Sequence, residues 1–260
     1  MTITEQQINY NELLQKAITE KGTISNCYKM FYNYSIGNQI IAMYQMELMG
    51  LKITPIKTFN GWKQLGRYVK KGSKAISLWM PIGAYTKKVT DEEGNETLVS
   101  VMPKGYMLKN NWFCMDQTEG KDVTVDEVVN IKFDFDKVHK NFGIEIIDFE
   151  HVNGNIQGYA KTKEKKLAIN PVAEHPEMTI LHEVAHIVLG HGDRDIPRDL
   201  KEVEAETVAY IIGSLTDVND NELSNSRGYI QSWLGENKLS EATAKRIFKV
   251  ADEILKVGRV

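Results

Sequence analysis

Cysteine is nearly absent. Cys27 and Cys114 are the only two, far apart and outside any CxxC pair. That excludes a disulfide framework and suits a chain kept in a reducing cytoplasm. No apolar run nears the length of a membrane span, so no membrane partner is expected. The opening Met-Thr-Ile-Thr-Glu-Gln-Gln lacks the pattern of a signal peptide, and a cytoplasmic location is the expectation. Internal repeats and low-complexity segments are missing too, which excludes a solenoid or a tail-like chain. What is left is the composition of a soluble globular protein, 42% hydrophobic and 26% charged. Its 260 residues allow one large domain or two of ordinary size. The charge is unevenly spread. Residues 1–130 hold 15 Lys and Arg against 13 Asp and Glu, a net of +2; residues 131–260 hold 17 against 22, a net of −5.

The most specific pattern present is His182-Glu183-Val184-Ala185-His186. It lies in Glu177–Gly190, which reads as one helix, with Pro176 suited to its first position and Gly190 to its stop. Leu181, Val184, Ala185 and Val188 recur at helical spacing and predict a buried face. His182 and His186, four apart, leave the same side one turn apart, which lets two imidazoles share a zinc ion. Glu183 is placed to take a proton from a water that the ion activates. The plain alternative is a solvated helix face that happens to carry these residues. The apolar run around them argues against it.

Zinc needs a third protein ligand. Residues 198–213 form another helical stretch, on which Glu202, Glu206, Ala209 and Gly213 make one stripe. The small residues would let it approach the first helix, with both acids turned to the histidines. Taken alone, the stretch would read as an acidic surface helix. Glu-x-x-Ala-Glu after a nearby HExxH resembles the second motif of the gluzincin metallopeptidases. The resemblance implies Glu202 as ligand and Glu206 as the acid that orients a ligand histidine. The opposite assignment stays open, since both acids share the stripe. His191 is one residue early for a third-histidine motif, and Leu189 stands where that motif has glycine, so His191 reads as lying beyond the helix end.

Earlier in the chain, residues 4–20 and 35–49 read as helices, the second with Ser35 as N-cap and Gly50 as stop. Met43, Met46 and Met49 read as core filling. From Lys52 to Lys88 there are nine Lys or Arg and no acid, interleaved with Phe59, Trp62, Tyr68, Trp79 and Tyr85. Such a mixture can track a phosphate backbone and stack bases on its rings. Gly61, Gly66 and Gly72 would allow close backbone approach. The alternative is that the tryptophans are core and the lysines a solvated face.

Residues 60–75, Asn-Gly-Trp-Lys-Gln-Leu-Gly-Arg-Tyr-Val-Lys-Lys-Gly-Ser-Lys-Ala, resemble the N-terminal domain of ArdC-type antirestriction proteins. Asn38, Gln39 and Gln45 before them, and Phe113 with Gln117-Thr118 after them, fit the same pattern. The resemblance implies a domain that binds single-stranded DNA, followed by a zincin-like peptidase domain. It nominates Asn38, Gln39, Trp62, Lys63, Arg67, Lys70, Lys71 and Lys74 for DNA.

Residues 85–90 and 96–102 read as a hairpin around Asp91–Asn95, residues 118–140 as a connection, and Asn153-Gly154 as a turn. Tyr159–Lys161 and Leu167–Asn170 read as short strands. By carry-over from zincins, Leu167–Asn170 would be the edge along which a peptide lies. Tyr229–Leu234 and Ser240–Val257 read as closing helices.

The expected architecture is α+β, with an ssDNA-binding domain over 1–125, a connection over 126–140 and a zincin-like, gluzincin metallopeptidase domain over 141–260. His182, His186 and Glu202 would hold Zn2+ and Glu183 would be the catalytic base. Tyr210, Tyr229 and His191 are open candidates for stabilising an oxyanion. The partners expected are single-stranded DNA and a protein or peptide substrate, and the resemblance implies protection of incoming mobile DNA from host restriction. Two other readings stay open: an active protease that cuts a DNA-bound or defence protein, and a pure ssDNA-binding protein whose zinc is structural.

Overall fold

The structure, a computed structural model, describes residues 8–83, 85–90, 96–101, 103–124, 131–150, 155–216, 218 and 220–260. It mixes helix and sheet. In chain order the helices are α1 (Tyr10–Thr19), α2 (Thr23–Phe31), α3 (Ile36–Leu48), α4 (Phe59–Gln64), α5 (Phe135–Phe142), α6 (Pro176–Val188), α7 (Arg198–Gly213), α8 (Asp220–Glu236) and α9 (Glu241–Gly258). The strands are β1 (Ile56–Thr58), β2 (Arg67–Val69), β3 (Ile76–Ile82), β4 (Tyr85–Thr90), β5 (Glu96–Val101), β6 (Gly105–Cys114), β7 (Thr118–Gly120), β8 (Glu145–Ile146), β9 (Gly158–Lys161) and β10 (Lys166–Ile169). Two compact units emerge, one of residues 1–8 and 41–125, the other of residues 9–40 and 126–260.

In the first unit β6 is the central strand, antiparallel to β1 on one side and β3 on the other. β2 pairs with β7, and β4 with β5 as the expected hairpin, whose turn at Asp91–Asn95 lies outside the described residues. Trp62 of α4 is wholly buried and its indole N–H donates to the Phe113 carbonyl at 2.8 Å. Gln45 on α3 clamps Ser77 of β3 from both ends of its amide, donating to the carbonyl at 2.8 Å and accepting from the N–H at 2.9 Å. A buried amide satisfied in this way fixes one helix position against one strand position.

In the second unit α6 and α7 lie side by side. A Cβ on Gly213 would meet Met178 Sδ at 2.8 Å and Leu223 Cδ2 at 3.1 Å, so glycine is what lets α6, α7 and α8 approach. α6 starts with Pro176 in its first turn, as expected, and Gly190 just past its end has φ 69. α9 is capped by Ser240, whose hydroxyl accepts from the Thr243 N–H at 3.1 Å.

Several expectations are corrected. Residues 9–40, expected with the DNA-binding domain, pack with the second unit. The apolar face of α1, with Leu13, Leu14 and Ile18 buried, packs on α8 and α9 some two hundred residues later, and α2, with Ile24 and Phe31 buried, packs on α1. No local pattern names a distant partner. The helix expected over 4–20 is described from Tyr10. The stretch 118–140 is not a plain connection: Thr118–Gly120 is β7, and α5 packs on α9. The Asn153-Gly154 turn lies outside the described residues. Finally, β10 is not an edge. It is the middle strand of a three-stranded sheet, parallel to β8 and antiparallel to β9. β9 is an edge strand and packs against α6. A Cβ on its Gly158 would meet Thr179 Cγ2 at 2.7 Å.

Candidate metal centre

The α6–α7 pairing brings three ligand atoms together. His182 Nε2 lies 3.0 Å from His186 Nε2. Glu202 Oε2 lies 3.4 Å from the first and 3.5 Å from the second. Ligands bonded at about 2.0–2.1 Å around tetrahedral zinc stand about 3.3 Å apart, so this donor set fits one such ion. Among the described residues, no other group of three His, Cys, Asp or Glu closes in this way.

Glu206, one turn further along α7, points elsewhere. Its Oε2 is 2.7 Å from His182 Nδ1, on the far side of the ring from the trio, and its Oε1 accepts from the Ser226 hydroxyl. Burial alone would lower the pKa of His182; hydrogen bonds to Glu202 and Glu206 outweigh it and raise it. The same bonds to His182 and His186 hold the Glu202 carboxyl well below the usual range. Glu183 shares the helix but is not in the trio. Burial raises its pKa, opposed by the nearby histidines, and its carboxylate accepts the Ala160 backbone N–H from β9. A glutamate raised in this way is a better proton acceptor for work near neutrality.

Beside the trio is a cleft of about 420 Å³, lined by Gln157, Gly158, Met178, His182, Glu183, Glu206, Glu222 and Asn225. The edge strand bordering it is thus β9, in place of the β10 expected from the sequence.

His191 lies beyond the end of α6, as the sequence suggested, but its contact with His186 was not foreseen, and Glu204 was not singled out. His191 follows the α6 stop but is buried, with Nδ1 2.7 Å from His186 Nδ1 and Nε2 2.9 Å from Glu204 Oε2. Glu204 is 0% exposed and meets Arg194 through both oxygens, at 2.5 and 3.0 Å. The signal was available: Glu204 shares its face of α7 with Val208 and Ile211, and an acid in an apolar stripe needs a buried partner. With both ring nitrogens engaged, His191 is removed as an oxyanion donor. Tyr210 lines a different pocket, beside Lys21 and Arg227. Tyr229 alone of the three is exposed near the trio, its pKa raised by burial and then by Glu202, Glu206 and Asp199.

The residues nominated for DNA divide in two. Trp62, Gln39 and Arg67 are buried and spend their polar groups inside the protein. Gln39 donates to Tyr34 O at 2.8 Å. Arg67 donates to Thr118 Oγ1 at 2.7 Å, Lys121 O at 2.5 Å and Thr118 O at 3.1 Å, tying β2 to β7. None of the three presents a group to a ligand, because each serves as an internal tie. Asn38 is partly exposed, and Lys63, Lys70, Lys71 and Lys74 are exposed. Lys70, Lys71 and Lys74 line one groove of about 600 Å³ with Gly72, Ser73 and Gln117; Lys63 is not on it. Gln117 shapes that groove, donating to Lys74 O at 2.8 Å and accepting from Cys114 N at 3.0 Å.

Residues 4–131 match the family model described as the N-terminal domain of anti-restriction factor ArdC. Among solved structures, the Mn(II)-bound antirestriction protein ArdC from the R388 plasmid is 18% identical, with 98% of each chain covered and a TM-score of 0.51. The metal-free structure of that protein is 18% identical over 95% of this chain and 94% of that one, with a TM-score of 0.46. No curated protein sequence matches. With an ArdC N-terminal domain as its first half and the Mn(II)-bound relative's fold followed along its length, the chain belongs to the ArdC type of antirestriction protein.

Proposed function

We propose that the protein protects incoming DNA by binding it as a single strand in the lysine-lined groove, and that its second unit is a zincin-like, zinc-dependent peptidase centre. The observation that carries the second half is the trio of ligand atoms 3.0–3.5 Å apart with Glu183 outside it, facing an open cleft. Two imidazoles and a carboxylate favour zinc, and the Mn(II)-bound R388 relative supports a divalent ion. When bound, zinc would lower the pKa of a water to near neutrality and polarise a carbonyl. Glu183 would accept the proton, held in place by the Ala160 N–H. A peptide would lie along β9, and Tyr229 is the side chain available to steady developing negative charge. A structural zinc would want a fourth protein ligand, and no fourth His, Cys, Asp or Glu joins the trio among the described residues.

Lys70, Lys71 and Lys74 on one concave face suit a phosphate backbone, with Asp116 on the same groove accepting from Lys70 Nζ through its carbonyl at 3.0 Å. Covering the strand needs no hydrolysis, so protection would rest on the first unit. The test is DNA survival in a restricting host at matched protein levels. Glu183→Ala should protect like wild type, and Lys70→Ala/Lys71→Ala/Lys74→Ala should not. Protection lost with Glu183→Ala and kept with the lysine variant would make proteolysis the protecting activity.

A further inference from the structure

The two ligand histidines are braced differently. His182 Nδ1 meets a carboxylate directly, at 2.7 Å from Glu206. His186 Nδ1 meets another imidazole, at 2.7 Å from His191 Nδ1. Two ring nitrogens this close share one proton, so one donates and the other accepts. His186 has its Nε2 in the ligand trio, which leaves its ring proton on Nδ1. It is therefore the donor, and His191 accepts. A neutral His191 then carries its own proton on Nε2, which faces Glu204 Oε2 at 2.9 Å.

The end of this row is fixed firmly. Glu204 is fully buried, and a buried carboxylate is costly unless it is paired. Arg194 pairs with both its oxygens, and Arg246 Nη1 lies 3.5 Å from Oε1. The His191 backbone is held as well. Its N–H donates to His186 O at 3.2 Å, and Lys201 Nζ donates to its carbonyl at 2.8 Å. The His186 and His191 rings stand edge-on, 4.8 Å apart at 72°. A surface helix would need none of this.

We propose that His191, backed by Glu204 and its arginines, is a positioning residue that holds His186 as the Nδ1–H tautomer with Nε2 turned to the metal. The inference rests on the metal centre proposed above. Partners behind a ligand histidine fix its tautomer and ring orientation, and their loss commonly weakens metal binding 10- to 100-fold.

The experiment measures zinc affinity by chelator competition for full-length wild type and His191→Phe, a ring without nitrogens. It also reads the imidazole nitrogen shifts of zinc-loaded wild type by NMR. The expected result is one zinc on wild type and a dissociation constant about 10- to 100-fold higher for His191→Phe. The NMR spectrum should show a proton on His186 Nδ1 and on His191 Nε2, with His191 Nδ1 bare. That spectrum needs no variant, so it stands even if His191→Phe folds poorly. Zinc-bound wild type with His191 protonated on Nδ1, or a folded His191→Phe within threefold of wild type, would overturn the inference and leave the metal centre standing. Wild type that takes up no zinc would overturn both.

Discussion

Glu202, Glu204 and Glu206 occupy five residues of one helix and take three different positions. Glu202 closes the trio, Glu206 braces His182 from behind, and Glu204 turns to the opposite face. Glu202→Ala should therefore abolish stoichiometric zinc, whereas Glu206→Ala should keep about one zinc with affinity lowered roughly 10- to 100-fold, as read by metal analysis and chelator competition. Loss by Glu206→Ala and retention by Glu202→Ala would reverse the two roles. His182, Glu183 and His186 were legible because their geometry is set within one helix. Glu202 and Glu206 were legible as a pair through helical spacing. His191 was not, because the turn at Gly190 and the tie to Lys201 bring it back to His186, and both depend on tertiary packing. For the DNA nominees, residue type misled: Trp62 and Arg67 look like stacking and phosphate groups but serve as internal ties. Arg67→Ala should cost about 2 kcal/mol in a denaturant melt without DNA, from its lost charge-assisted bonds. Lys71→Ala/Lys74→Ala should leave stability within about 0.5 kcal/mol. The same pair should flatten the salt slope of DNA binding by roughly 1.4, at about 0.7 per phosphate contact.

Single elements carry consequences of their own. The Asp252 carboxylate of α9 accepts the Ile36 N–H at the start of α3, at 2.7 Å, and so caps it. Burial raises the Asp252 carboxyl from its ordinary 3.8 to about 7. Between those values the folded protein holds a proton that the unfolded chain has released, so stability falls as pH rises from about 4 to about 7 and then levels off. The size of the loss from this group is about 4 kcal/mol. Asp252→Asn keeps an acceptor for Ile36 and removes the titration. Its melting temperature relative to wild type should therefore rise through that pH window and be higher above pH 7; a difference that does not change with pH would contradict this account. Helix and strand positions along the chain were largely legible from periodicity and from Pro176, Gly190 and Ser35. Strand order was not: four-residue strands look alike in sequence, and which is central depends on pairing. On α7, Gly213→Ala should destabilise by about 1–3 kcal/mol through the Met178 and Leu223 contacts, measured by thermal melt.

At the scale of the whole molecule, the units do not follow the order of the chain. α1 and α2 come before the lysines proposed to meet DNA yet belong to the second unit, where α1 packs on α2, α8 and α9, so a cut near residue 140 does not separate one unit from the other. A 1–140 fragment would expose the buried face that α1 turns to α8 and α9. It should elute as aggregate in gel filtration, whereas the full chain stays discrete. The sequence showed where the composition changes, but contacts between distant segments decided the units. The account stands most directly on the position of one ion. In crystals of zinc-loaded protein, anomalous scattering at the zinc edge should give one strong peak per chain within about 2.0–2.2 Å of His182 Nε2, His186 Nε2 and a Glu202 oxygen, with Glu183 and Glu206 outside bonding distance. A peak bonded to Glu206 in place of Glu202, a peak closed by a fourth protein ligand, or no peak between α6 and α7 would contradict it.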